Sequence, residues 1–367
     1  MSAPFEKITI NGMSLNNRFV RSATWEGLAE KDGTVTDKLT EMMTELARNE
    51  VGLIITGYAF VSPDGQSSPQ QLAAHDDCFI KGLQEMVQAV HSVGGKIALQ
   101  VVHAGKFSMP ELTGQTPMGP SADKNEDGQI TCRAMSKDDI SAMVSAFTKA
   151  ASRGKQAGFD AIQIHAAHGF LLSQFLSPAF NKRTDIYGGS IENRARLLLE
   201  VIRSVRGAVG NNYPILVKLN SEDFLKGGMT REEAISVSVM LEKASVDSIE
   251  FSGGTVASKE LIPPRPGILK KKEDEAYYRE AAKRYKQKIK IPLMLVGGIR
   301  SIEVAEELIG SGLADFISLS RPLIGEPYLV KRWHAGDRRE AECLSCNSCF
   351  GPAAEGKGLY CVVKNES

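Results

Sequence analysis

The sequence predicts a (β/α)8 barrel of the TIM type, and three observations carry that expectation. Eight apolar segments, each followed by a helical pattern, alternate along residues 18–336. Most of them are near-continuous apolar runs rather than strict alternations, as expected of parallel strands covered on both faces. No Gly-x-Gly-x-x-Gly turn follows the first segment, which removes the signature of the main rival, a doubly wound open sheet with the same alternation.

The elements follow in order. Ile8-Thr9-Ile10-Asn11-Gly12-Met13-Ser14-Leu15 alternates around an Asn-Gly pair. That pair favours a two-residue hairpin turn, and a hairpin ahead of the first strand is placed to plug the bottom of a barrel. Strands are expected at 18–23, 52–56, 96–102, 161–165, 215–220, 248–252, 293–297 and 316–320. Helix starts are legible between them. Ser136-Lys137-Asp138-Asp139 and Thr230-Arg231-Glu232-Glu233 resemble capping boxes, the first followed by the apolar face Ile140, Met143, Val144 and Phe147. Ser190 and Ser301 stand where N-caps belong, Ser190 ahead of Ile191, Ala195, Leu198, Ile202 and Val205. Two connections are long, 104–133 after the third strand and 253–274 after the sixth. Long loops at that end of a barrel lie on its catalytic face.

The bulk composition narrows the function classes. The 367 residues are 42% apolar, and 44 basic side chains cancel 44 acidic ones. A nucleic-acid or polybasic membrane partner needs a positive excess, so a small-molecule substrate is expected instead. No apolar run approaches the roughly 20 residues that span a bilayer, and Met1-Ser2-Ala3-Pro4-Phe5-Glu6-Lys7 lacks the apolar core of a signal peptide. A cytoplasmic protein is the expectation, with a homo-oligomer left open. Residues 1–336 form the expected barrel and 337–367 a tail. Of six cysteines, Cys78 and Cys132 are isolated, while Cys343, Cys346, Cys349 and Cys361 crowd the tail. Inside a cell such crowding reads as metal or redox chemistry before disulfides.

A barrel places its chemistry at the C-terminal ends of its strands. The seventh ends in Gly297-Gly298 and the eighth in Ser320-Arg321. Glycines opening a helix let backbone N–H groups approach an oxyanion, and a guanidinium suits phosphate, so a phosphate-bearing ligand is expected there. The fourth ends in His165-Ala166-Ala167-His168-Gly169-Phe170. Paired imidazoles could ligate a metal, although a catalytic zinc needs a third ligand. They could be satisfied core histidines, or donors to a substrate oxygen. The residues alone leave these three readings open.

The motifs together resemble the Old Yellow Enzyme family of FMN-dependent NADH:flavin oxidoreductases. The resemblance covers roughly residues 4–335. It rests on Asn17-Arg18-Phe19-Val20, Gly52-Leu53-Ile54-Ile55-Thr56, Gln100-Val101-Val102-His103-Ala104-Gly105, His165 through Leu172, Gln174 through Pro178, Asn181 through Asp185, Tyr187 through Arg194, and Ser320-Arg321-Pro322-Leu323. It implies FMN at the strand ends, with its phosphate at Gly297, Gly298, Ser320 and Arg321, and Ala23, Thr24 and Tyr58 beside it. Gln100 would meet the pyrimidine edge, and Lys218, where many relatives carry Arg, would place a positive charge beside N1 and O2. His165 and His168 would grip the carbonyl oxygen of an α,β-unsaturated substrate, which NADH or NADPH reduces by way of the flavin in an ene-reductase cycle.

Three departures from the family pattern bear on that cycle. Phe170 stands where the proton-donating tyrosine is usual and has no proton to give. Tyr58, Tyr187 and Thr255 are then the candidate donors. Trp25 and Tyr58 replace smaller residues and narrow the substrate site. The tail resembles the cluster loop of the 2,4-dienoyl-CoA reductase and trimethylamine dehydrogenase branch, which implies a [4Fe–4S] cluster at Cys343, Cys346, Cys349 and Cys361. That loop has three residues between its second and third cysteines and this one has two. Four thiolates also suit zinc. Two rival readings remain: a phosphate-binding lyase or isomerase using Lys218, and an electron-transfer flavoprotein module coupled to the cluster.

Overall fold

In a computed structural model, eight parallel strands pair in sequence and the last of them returns to the first. The strands are β1 (Phe19–Arg21), β2 (Leu53–Ile55), β3 (Ile97–Val102), β4 (Ala161–Ala166), β5 (Ile215–Asn220), β6 (Ser248–Ser252), β7 (Leu293–Val296) and β8 (Phe316–Leu319). β8 pairs with β1, which closes the predicted (β/α)8 barrel. The structure describes residues 3–365 except 268 and 270. Met1 and Ser2 of the N-terminal segment, two positions of the long sixth loop and the last two residues of the tail therefore lie outside it.

A principal helix follows each strand: α1 (Asp37–Arg48), α2 (Ile80–Ser92), α3 (Lys137–Gln156), α4 (Arg196–Val209), α5 (Arg231–Lys243), α6 (Arg279–Lys288), α7 (Ile302–Gly310) and α8 (Leu329–His334). Both predicted capping boxes form, at Ser136 with Asp139 and at Thr230 with Glu233. Ser190 also caps as predicted, through Asn193 N–H, but the helix it opens is interrupted at Ala195 and resumes as α4. Ser301 is a correction. It occupies the N-cap position of α7, yet its hydroxyl bonds Glu275, whose carboxylate also accepts the N–H groups of Arg300 and Ser301. The Ser301 hydroxyl is thus engaged by a carboxylate from the sixth loop and makes no capping bond to α7.

The predicted hairpin pairs Ile8–Ile10 with Met13–Leu15 across Asn11 and Gly12, both at positive φ as the tight turn requires. Ile10, Met13 and Leu15 pack on Val20, Leu53, Ala98, Ala161, Leu216, Met294 and Phe316, so the hairpin does plug the barrel bottom. The larger apolar cluster fills the layer between the strands and the helices. The 104–133 connection is more ordered than its composition suggested. Met118–Gly119, Asp123–Lys124 and Ile130–Ala134 make a small sheet of their own, turned at Gly128 with φ +79°. No described helix is long and apolar enough to cross a membrane.

The tail runs back over the barrel end that carries the β1, β7 and β8 loops. Ala341 N–H donates to Arg300 O at 2.8 Å, and Leu359 N–H donates to Glu26 O at 2.8 Å. Cys349, Ala353 and Leu359 pack with Trp25, Ile324 and Phe350.

Candidate active site

Strand register decides which polar side chains meet. Gln163 lies beside Gln100, His165 beside Lys218, and Lys218 beside Glu250. Positions two apart share a face of a strand, so Gln163 and His165 point the same way. The result is a polar layer at the top of an otherwise apolar barrel. Lys218 Nζ donates to Ser22 Oγ (2.7 Å) and Glu250 Oε2 (2.9 Å), Gln163 Nε2 donates to the same carboxylate oxygen (2.9 Å), and Gln100 Nε2 donates to Gln163 Oε1 (2.5 Å). Burial works to raise the Glu250 carboxyl, but the Lys218 charge and hydrogen bonds from Lys218, Ser22 and Gln163 outweigh it and hold the group below the usual range. Gln100 Oε1 and Glu250 Oε1 are buried with no hydrogen-bond partner among the described residues.

The two imidazoles stand edge to face, with ring centres 5.0 Å apart. Burial first, then the Lys218 charge, holds His165 well below the ordinary imidazole value of 6.5. Burial, then His165 and Lys218, does the same to His168. Both rings are therefore neutral at pH 7. His165 Nδ1 accepts the Ala167 N–H at 3.2 Å, which leaves the ring proton on Nε2 as a donor. His168 Nε2 is 2.7 Å from Ser252 Oγ. His168 also sits at φ +66°, a conformation that costs about 1–3 kcal/mol for an ordinary residue. Its N–H bond to Asn220 Oδ1 (3.1 Å) and its pairing with Thr255 hold it there.

Above this layer lies a cavity of about 440 Å³, within the usual range for ligand sites of roughly 300–1,000 Å³. Of the residues singled out from the sequence, Ala23, Thr24, Trp25, Tyr58, His168, Phe170, Lys218, Gly297, Gly298, Ser320 and Arg321 line it. His165 and Gln100 sit behind the lining and are almost wholly buried. Phe170 packs against His165 at 5.0 Å and Tyr58 at 5.4 Å. Tyr58 OH is 3.1 Å from Ser68 Oγ, and Trp25 Nε1 donates to Pro69 O at 3.1 Å. Tyr187 and Thr255 are not in the lining. The Tyr187 hydroxyl bonds the Glu200 carboxylate and the Thr255 hydroxyl bonds Ser258.

The far end is made by the β7 and β8 loops. Gly297 and Gly298 have φ +125° and +73°, and a Cβ on either would come within 2.7 Å of the Tyr277 ring, so glycine is required at both. Thr24 Oγ1 and Ser320 Oγ are 2.7 Å apart. Arg321 Nη1 donates to Arg265 O (2.8 Å), Asn347 Oδ1 (2.7 Å) and Ser345 O (3.3 Å). The tail therefore helps build the cavity, and Cys343, Ser345 and Phe350 line it.

All four tail thiols are free. Cys343 is raised by burial, with smaller effects from Cys361 and Cys346, and Cys349 is pushed up to about 11 by burial and by Cys343. The thiols thus share one corner of the fold. Even so, no three His, Cys, Asp or Glu side chains converge to hold a metal ion among the described residues.

Several site residues escaped the sequence reading. Glu250 carried a usable signal, a carboxylate inside the apolar run Ser248-Ile249-Glu250-Phe251-Ser252, and Gln163 carried a weaker one of the same kind. Ser22, Ser252 and Tyr277 carried none, since serine and tyrosine are unremarkable at strand ends and in loops.

Comparison with known proteins gives a consistent picture. Residues 4–340 match the model of the NADH:flavin oxidoreductase / NADH oxidase family. An NADH oxidase of Thermoanaerobacter brockii is 36% identical over 379 residues, covering 98% of this chain and 57% of that protein. Among solved structures, the 2-naphthoyl-CoA reductase complex with 2-naphthoyl-CoA aligns with TM-score 0.90 and 28% identity, over 98% of this chain and 56% of that one. The old yellow enzyme homologue from Zymomonas mobilis aligns with TM-score 0.78 and 28% identity, over 92% of this chain and 94% of that one. The chain thus spans little more than half the length of the first curated relative.

Proposed function

Because this chain belongs to the NADH:flavin oxidoreductase / NADH oxidase family, we propose that it is an FMN-dependent oxidoreductase that uses NADH or NADPH to reduce an activated alkene. The observation that carries this reading is the pair of neutral, buried imidazoles at one end of a cavity whose other end is a glycine turn with an arginine beside it. Bound there, FMN would supply hydride transfer from the nicotinamide to the electron-poor carbon.

The residues present fit that group. Gly297, Gly298, Ser320 and Arg321 would hold the phosphate, with Ala23, Thr24 and Tyr58 along its course. Gln100 has an unpartnered buried carbonyl oxygen for a ring N–H. Lys218, fixed by Ser22 and Glu250, keeps a cation beside the site at no cost of reorganisation. His165 Nε2–H and the His168 ring would donate to the substrate carbonyl oxygen and draw electron density from its β-carbon, with Ser252 orienting His168. A neutral donor suits this task, since it polarises the oxygen without surrendering a proton to water. Phe170, Trp25 and Tyr58 would clamp the apolar part of the substrate, and Phe170 adds no proton. Of the candidate donors, Tyr58 is the one on the cavity wall.

The finer cofactor reading is a thiolate-held [4Fe–4S] cluster or zinc at Cys343, Cys346, Cys349 and Cys361. The spacing of the four cysteines in the sequence and their free thiols support it, their side chains do not converge on one point among the described residues, and no step above depends on it. Iron, sulfide and zinc analysis of protein purified without oxygen tests it.

For the main reading the test is optical. Protein loaded with FMN should bleach when NADH or NADPH is added without oxygen and recover its colour with 2-cyclohexenone. Protein that stays colourless in excess FMN sinks the flavin reading. Yellow protein inert to both nicotinamides favours the electron-transfer alternative.

A further inference from the structure

Glu250 is absent from the cavity lining, yet it places a charged carboxylate immediately behind Lys218, which does line it. Register sets the two side by side on β5 and β6. Their side chains are 3% and 0% exposed and meet at 2.9 Å. Gln163 Nε2 donates to the same carboxylate oxygen at 2.9 Å and so fixes the carboxylate from β4. The other oxygen, Oε1, is buried without a hydrogen-bond partner among the described residues. Ser22 and Glu250 take two of the three hydrogens on Lys218 Nζ, which leaves one for a ligand.

An ion pair this deep gains little stability over apolar side chains of similar volume. What it does supply is a fixed pattern of charge. A carboxylate 2.9 Å from an ammonium cancels much of its field at any third group, and water screens neither charge at this depth. A group on the cavity side of Lys218 therefore feels a cation weakened by the anion behind it. Charge near the flavin ring is one of the ways a protein tunes that cofactor. We propose that Glu250 is a positioning residue that lowers the reduction potential of a flavin held in this cavity, acting through Lys218. It offsets part of the positive charge that would otherwise favour the negative, reduced form. The proposal rests on the flavin reading above. It goes beyond that reading in saying how strong a hydride donor the site makes: Lys218 alone would make a weaker donor, and the pair makes a stronger one.

The midpoint potential of bound FMN is measured against a reference dye for the unaltered chain, Glu250→Gln, Glu250→Asp and the double variant Lys218→Met with Glu250→Met. Glu250→Gln should raise the potential by about 30 mV or more, a tenfold change in the two-electron equilibrium. Glu250→Asp keeps the charge and should stay near the unaltered value, although it too disturbs the packing. A merely structural glutamate would not separate these two variants. The double variant removes both charges and leaves an apolar pair, a replacement that buried ion pairs tolerate. It tests the idea even where Glu250→Gln fails to fold. Its equilibrium should move by less than tenfold, because opposed charges leave together. An unmoved potential in Glu250→Gln overturns the proposal, and so does a tenfold or larger fall in the double variant. Unaltered protein that takes up no FMN overturns the flavin reading and the proposal with it. Bound FMN whose potential ignores the Glu250 charge overturns the proposal alone.

Discussion

The two ends of the cavity are built on different terms. At the imidazole end the two histidines, Lys218 and Glu250 sit on a strand or within two residues of one, and are aimed by the pleat and register of the barrel. At the glycine end the working groups sit on the sixth, seventh and eighth loops, and Asn347 and Ser345 reach Arg321 from the tail. The first end is inseparable from the fold, because Lys218 and Glu250 are almost wholly buried within the barrel. The second is a docking of separate segments. Changes at the first should cost stability as well as activity, and changes at the second should cost ligand affinity while sparing the fold.

The largest effect is expected from Lys218→Met, which leaves Glu250 charged, buried and unpaired. Breaking such a pair costs about 3–5 kcal/mol, so the unfolding free energy obtained from urea titration should fall by that amount. Adding Glu250→Met should restore most of it, since an apolar pair of similar volume is tolerated. A single variant as stable as the unaltered chain would erase the contrast between the two ends.

Next come the imidazoles. His165→Ala and His168→Ala should each lower enone turnover by about 10²–10³-fold, the usual cost of one preorganised donor, with FMN content unchanged. Loss of FMN instead would show that the two ends are not separable.

The same rings set an acid limit. Their folded-state values lie below 6.5, so the unfolded chain binds more protons as the pH falls through that value. Stability should be fully present above pH 6.5 and decline below it by about 1.4 kcal/mol per pH unit for each ring. Unfolding midpoints measured from pH 8 down to 5 check this. A flat profile, with carboxylates accounted for, contradicts neutral rings.

The smallest effect is assigned to the tail. Asn347→Ala removes one of three acceptors that hold Arg321. FMN affinity should fall severalfold, by about 1 kcal/mol, with the melting temperature nearly unmoved. A large drop in melting temperature would place the tail with the barrel core and not with the docked segments.

How much was legible follows the same division. Strand positions read from apolar runs differ from the observed ones by no more than two residues at an end, because parallel barrel strands need those runs wherever they lie. Asn11-Gly12 specified its turn, and Ser136 and Thr230 specified their caps, because those are local chemistry. Ser301 was misjudged for the opposite reason, since Glu275, from another loop, draws its hydroxyl away from the helix. Among site residues, the strand-end histidines, Lys218 and the glycine pair stood out by type and place.

The chain order of apolar runs, turns and caps was thus enough to specify a closed eight-stranded barrel, since each is a property of a few neighbouring residues. Closure of the barrel joined Lys218 to Ser22, which are 196 residues apart, and so fixed the cation. It also buried the imidazoles deeply enough to keep them neutral. Return of the tail placed Ser345 and Asn347 on Arg321. Those contacts depend on distances through space between segments remote in sequence, and the burial depth that keeps both imidazoles neutral exists once the barrel has closed around them.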